Sequence, residues 1–316
     1  MRVLVTGANG FVGSHLVARL AADGHEVTAA VRPSADLRRL APLGTAVSIV
    51  RLELDDAPAL AGAFARARPE AVYHLACRTR PGGQDAIAEA RRFLSEDVTN
   101  LMRVVSAAAE AQEPPFLLVR TGTLAEYGSA PPPHTEETLP RPSTPYGAGA
   151  LAGSVMLGSL TGKTPFRLLN LRLGLTYGPG QDESFLIPRI IRRLAEREPV
   201  TVARPAARRD LIHVDDVTAA LLAALRTPVP TGTVLNICSG EAPTMKQVAR
   251  ILSRLTGAPG TLLSYGPANA GADDVLSCDP QAAQSLLSWR AKVPLEEGLA
   301  RLVHAFPAPQ PAEEAI

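Results

Sequence analysis

The opening stretch, Val3-Leu4-Val5-Thr6-Gly7-Ala8-Asn9-Gly10-Phe11-Val12-Gly13, constrains the fold more than any other part of the chain. An apolar β-type run passes straight into glycines at every third position and then into an amphipathic run from Phe11 to Leu20. A strand, a tight turn and a helix in that order is what dinucleotide binding needs. Gly7 permits the turn, Gly10 lets backbone approach a pyrophosphate, and Gly13 lets the helix pack against the strand. The start of the helix, with Asn9, Phe11 and Val12 around it, presents free N–H groups to phosphate charge. A dinucleotide cofactor held by Gly7, Asn9, Gly10, Phe11, Val12 and Gly13 is the expectation.

The pattern that follows extends this unit. Glu26–Val31 reads as a second strand, Val47–Leu54 as a third, Ala71–Ala76 as a fourth and Phe116–Arg120, running into Thr121-Gly122-Thr123, as a fifth. Phe166–Leu173 and Val234–Ile237 are later strands, with helical patterns between them. Strands alternating with helices at this spacing predict an α/β fold, a Rossmann-type doubly wound parallel sheet with a smaller C-terminal substrate lobe. The boundaries expected are 1–174, with 206–240 returning, for the cofactor domain, and 175–205 with 241–304 for the lobe. The Pro-rich tail 305–316 is expected to be disordered. A proline-rich loop from Ser129 to Pro145 is placed to shape a pocket.

At the end of the second strand, an acid that would hold the adenosine ribose is missing. Ala29 and Ala30 stand there, followed by Arg32, and a guanidinium suits a 2′-phosphate. NADP(H) is therefore preferred to NAD(H), with Arg38 or Arg39 as helpers. The formal net charge of +1 with 20% charged residues gives no pull toward nucleic acid or acidic membranes. No apolar stretch reaches the length of a membrane span, so a cytoplasmic protein is expected. Cys77, Cys238 and Cys278 lack metal-ligand spacing and read as reduced structural thiols, and no metal site is expected.

Several motifs together carry a family resemblance: Thr6–Gly13, His74-Leu75-Ala76, Glu126-Tyr127-Gly128, Pro145-Tyr146-Gly147, Leu173–Gly180 and Arg209–Val217. Through them the chain, to about residue 304, resembles the extended short-chain dehydrogenases/reductases of the nucleotide-sugar epimerase/dehydratase type. The resemblance implies Glu53 and Leu54 at the adenine, Leu75 and Ala76 near the ribose and pyrophosphate, and Leu173, Gly174 and Leu175 near the nicotinamide. It implies Thr123 and Tyr146 as the catalytic hydroxyls, with Tyr146 also at the cofactor. Thr121, two residues from Thr123 on the same side of the strand, and Ser95 are further candidates. Arg78, Tyr127 and Arg209 are the candidate substrate contacts, and a homodimer is left open.

The departures from the family are informative. The family lysine, four residues after the tyrosine, falls on Ala150, and the chain's lysines are only Lys163, Lys246 and Lys292. Asp97 stands where the family has asparagine. Without a lysine to lower its pKa, a tyrosine stays near about 10 and supplies little phenolate at neutral pH. Oxidation needs a base, whereas reduction needs only an acid. Relatives that bind nucleotide sugars hold the diphosphate with two arginines; Arg209 matches one, but the region of the other reads Tyr265–Asp274, with two acids and no arginine. The expectation is an NADPH-dependent ketoreductase of a specialised metabolite, most simply an aromatic polyketide whose own phenol assists proton supply. In this it is similar to atypical reductases of antibiotic pathways, such as those acting on angucyclinones in the simocyclinone route. The alternatives are a reductase or epimerase of a nucleotide-linked 4-keto-deoxysugar, and a non-catalytic NADP-binding redox sensor.

Overall fold

The computed structural model describes residues 1–77 and 85–306. Arg78 and the tail from residue 307 lie outside the described residues. The sheet strands are β1 (Arg2–Thr6), β2 (Glu26–Val31), β3 (Val47–Arg51), β4 (Ala71–His74), β5 (Leu117–Thr123), β6 (Arg167–Leu173) and β7 (Thr233–Ile237). They form one seven-stranded sheet in the order β7-β6-β5-β4-β1-β2-β3, parallel throughout. The chain runs outward from β1 in one direction to β3 and in the other to β7. That reversal beside β1 is where open α/β sheets place a ligand.

Both faces are covered, which is why the strands read as apolar runs. Period-two alternation sorts their side chains. Val3, Val5, Tyr73, Leu117, Val119, Leu169 and Leu171 enter one core, with α1 (Phe11–Ala22), α7 (Val214–Arg226) and α9 (Gln281–Leu287). Leu4, Ala30, Val72, Leu118 and Leu168 enter the other, under α2 (Ala57–Ala67), α4 (Thr99–Glu110) and α5 (Pro145–Ser159). A further core joins Ile190, Leu194, Val248, Leu252 and Leu299 from α6 (Leu186–Ala195), α8 (Met245–Leu255) and α10 (Leu295–Ala305). Among the described residues no helix is long and apolar enough to cross a membrane.

Several boundaries differ from expectation. The third and fourth strands end earlier, at Arg51 and His74, so Glu53-Leu54 and Leu75-Ala76 lie just beyond the sheet, where a ligand would pass. The helix before α4 is continuous with it: α3 (Ala86–Arg92) runs through a π-helical turn, Phe93–Val98, into α4. Regular structure also persists to Ala305, past the expected start of the tail.

Candidate active site

The mouth of the site is built by backbone. Gly7 has φ +69°, and a Cβ there would stand 2.6 Å from the Ala76 nitrogen; at Gly13 a Cβ would stand 2.2 Å from the Gly7 oxygen. The Gly7 turn, closed by Gly10 N–H donating to its carbonyl at 3.0 Å, thus lies against Leu75-Ala76 and under the first turn of α1. No side chain caps α1 at Gly10, which leaves its first N–H groups for a phosphate. These residues fit the pyrophosphate of a dinucleotide. Arg32 is exposed at the end of β2. Arg38 is held by Asp36 at 2.6 Å, and Arg39 donates to the carbonyls of Asn9 at 3.2 Å and Gly180 at 2.7 Å. Asn9 itself reaches the Asp36 carbonyl at 3.4 Å. Of the pair considered as helpers to Arg32, both already have protein partners. On the far side, Gly174 N–H donates to the Ile237 carbonyl and Leu175 N–H to that of Asp210, both at 2.8 Å, which fixes the Leu173–Leu175 backbone across the end of the sheet.

Tyr146 opens α5, one residue after its N1 proline, with Thr144 capping the helix through Gly147 N–H at 3.1 Å. Its ring packs on Phe93 of the π-helical turn, centroids 5.6 Å apart. The phenol is hydrogen-bonded to the Thr123 side chain, but burial pushes its pKa above the ordinary tyrosine value, and the Thr123 bond and the Arg120 charge only partly oppose that. Tyr146 is therefore a proton-bearing group at neutral pH. Thr123 Oγ1 also accepts from Ala125 N–H at 3.2 Å. Thr121 lines a narrow pocket with His74, Cys77, Asp97, Arg120 and Ala150.

Beneath α5 lies a polar row that sequence reasoning missed. Parallel pairing sets Thr6 beside His74, His74 beside Arg120 and Arg120 beside Asn170. All four alternate with the residues of the first core, so they face α5. Thr6 Oγ1 meets His74 Nδ1 at 2.8 Å, and burial, with Arg120 nearby, drops the His74 pKa to about 3. Arg120 donates to the Ala150 carbonyl at 2.9 Å, Ser154 Oγ at 3.0 Å and Asn170 Oδ1 at 3.1 Å. Glu126, fully buried, accepts from Ser154 at 2.6 Å, Arg172 at 2.8 Å and Thr123 N–H at 3.2 Å. The signal was present: an arginine follows the apolar run of β5, and α5 carries Gly149, Gly153 and Ser154, small enough to let a helix lie over a guanidinium. A Cβ at Gly153 would stand 2.8 Å from Arg120 Nη2.

Two expected contacts are corrected. Tyr127 is wholly buried and cannot touch substrate. Its hydroxyl donates to Asn236 at 2.8 Å and accepts from Arg172 at 2.9 Å, and its ring stacks on His134, so its role is to brace the loop behind the site. Ser95 is exposed and donates to the Arg92 carbonyl at 3.3 Å. It lies half a turn from Phe93 and Asp97, whose side chains line the pocket, so it is turned away from Thr123. Arg209 is held by Asp274, donating to its carbonyl at 2.8 Å and to its carboxylate, which also pairs with Arg204 at 2.8 Å. Among the described residues no group of three or more His, Cys, Asp or Glu side chains could hold a metal.

The chain is 29% identical to the UDP-glucose 4-epimerase of Mycolicibacterium smegmatis, over 97% of this chain and 98% of that protein. It is 27% identical to the dTDP-L-rhamnose 4-epimerase of Burkholderia thailandensis, over 95% and 93%. Among solved structures it resembles MoeE5 in complex with UDP-glucuronic acid and NAD, with TM-score 0.83 and 31% identity over 96% of this chain and 98% of that one. The UDP-glucose 4-epimerase of Thermotoga maritima, with UDP-glucose, superposes with TM-score 0.85 at 26% identity over 96% and 98%. With the family's own sequence model matched over residues 3–238, the chain belongs to the NAD dependent epimerase/dehydratase family.

Proposed function

We propose that this protein is an NADPH-dependent ketoreductase that runs in the reductive direction. The observation that carries this reading is Ala150, one turn after Tyr146, where the resemblance calls for lysine: Tyr146 keeps its proton and can donate it or hydrogen-bond a carbonyl, but has no ammonium beside it to make it a base. Arg32 at the end of β2, where no acid stands, supports NADPH. The substrate we favour is a ketone of a specialised metabolite, an aromatic polyketide of the angucyclinone type, whose neighbouring phenol shares in the proton supply. Asp274 supports an uncharged substrate, since it occupies Arg209 and adds negative charge where a diphosphate would lie.

A second reading has specific support. The relatives named above act on nucleotide-linked sugars, which favours a reductase or epimerase of a nucleotide-linked 4-ketosugar. Cofactor oxidation by the pure protein, offered both substrate classes in parallel with NADPH and NADH, separates the two. Turnover of aromatic ketones alone supports the first reading and turnover of ketosugars alone the second. Tight NADPH binding without turnover of either points to a redox sensor. On the first reading Tyr146→Phe keeps kcat within about tenfold, since general acid catalysis by one side chain is worth about 10²–10⁴-fold where it is indispensable. Near-complete loss of kcat with unchanged cofactor affinity would sink it.

A further inference from the structure

Helix α5 carries no cation at position 150, yet a cation lies directly beneath it. We propose that Arg120 on β5 is the charge-supplying and positioning residue of this active site, taking over from the strand what the family supplies from the helix. The geometry argues this on three counts. Arg120 is 7% exposed, midway along β5, and lines the pocket together with the next residue, Thr121. Its bonding partners are neutral: the Ala150 carbonyl, Ser154 and Asn170. The Glu126 carboxylate stands 3.9 Å away and is itself engaged by Arg172 at 2.8 Å. Two buried guanidiniums, Arg120 and Arg172, thus share one carboxylate, and the cluster keeps a positive field.

That field reaches the reacting end of the pocket. Three groups respond to it: it opposes the rise in pKa of Tyr146 on α5 and of Cys77 after β4, and helps keep His74 on β4 neutral. Asp97 and Arg92, from the helix across the pocket, act on Cys77 as well, the thiol being hydrogen-bonded to Asp97. As a ketone is reduced, its oxygen takes the π-electron pair and becomes negative until protonated. A fixed buried cation lining the same pocket as Thr121 favours that charge. Through the Ala150 carbonyl it also holds the turn of α5 that carries Tyr146.

The kinetic part of this inference rests on the reductive reading above, so the test includes a measurement that needs no substrate. Cys77 is exposed while Cys238 and Cys278 are buried, so its alkylation by iodoacetamide, read by peptide mass spectrometry at pH 8, reports the local charge. Arg120→Met is expected to slow that alkylation about tenfold, equivalent to one unit of thiol pKa. It is expected to lower kcat by about tenfold as well, the equivalent of about 1.4 kcal/mol of transition-state stabilisation, with NADPH affinity unchanged. Arg120→Met combined with Ala150→Lys restores both rates, because it returns a charge but none of the bonds to Ser154 and Asn170; Arg120→Lys also retains both. If Arg120→Met does not fold, Arg120→Gln removes the charge while keeping an amide donor. An unchanged alkylation rate overturns the proposal, and so does a loss of kcat that Ala150→Lys cannot rescue in a folded protein. If the wild-type protein reduces no ketone of either class, the functional reading falls and the Cys77 rate alone decides the role of Arg120.

Discussion

At the scale of single residues, the site is governed by which charges burial permits. His74 has a carboxylate neither in its row nor among its bonding partners: it meets Thr6 on one side and Arg120 on the other, and its folded pKa falls to about 3 from 6.5. The sign of the consequence is set by proton uptake. Between pH 6.5 and pH 3 the unfolded chain binds a proton at His74 that the folded chain refuses, so this residue's contribution to stability is lost as pH falls below 6.5. At pH 5 the loss relative to pH 7 is about 2 kcal/mol. Urea unfolding at both pH values should therefore show His74→Asn losing about 2 kcal/mol less than wild type on acidification. Equal losses would mean that His74 is hydrated or paired in the folded protein.

At the scale of elements, the glycine turn and α1 form one object whose shape is dictated by missing side chains. Gly13 is the sharper case, because a Cβ would meet the Gly7 carbonyl oxygen, which is backbone and cannot rotate away. Gly13→Ala is expected to cost about 1–3 kcal/mol of overpacking. Where this falls on binding, affinity for the reduced nicotinamide dinucleotide drops roughly 10- to 100-fold, which fluorescence titration would measure, with thermal melting to show any share lost from the fold. Retained affinity with retained stability would mean that the turn has slack. The same logic explains α5, whose Gly147, Gly149, Ala150, Gly153 and Ser154 are buried against loop, aromatic ring and guanidinium alike.

At the scale of the whole molecule, residues distant in sequence meet through short strand pairings outside the main sheet. Arg209 and Asp274 lie 65 positions apart and are brought together by the short parallel pairing of Arg208-Arg209 with Val275-Leu276. Asp274 thereby occupies the arginine that the family resemblance assigns to a diphosphate. Asp274→Asn is expected to release Arg209 and Arg204 and to tighten UDP binding about tenfold, since a hydrogen bond to a charged group is worth about 1.5–3 kcal/mol. Calorimetry with UDP checks this. An unchanged affinity would remove the argument against nucleotide-linked substrates and strengthen the ketosugar reading.

What the chain's own order of residues determined was local and periodic. The run from Val3 to Gly13 specifies strand, turn and helix because glycine is required by backbone geometry at Gly7 and Gly13, wherever the rest of the protein lies. Apolar runs alternating with helical patterns specified the parallel sheet for the same reason, since each is a statement about near neighbours. The absence of lysine at position 150 was equally plain. Tertiary structure alone decided what replaces it. Ser154 and Asn170 lie 34 and 50 positions from Arg120, and only strand register and the docking of α5 place them in one network with it and Glu126. Tertiary structure likewise withdrew Tyr127 into the core and turned Ser95 outward, because burial and helix phase are set by packing partners that a short motif does not contain.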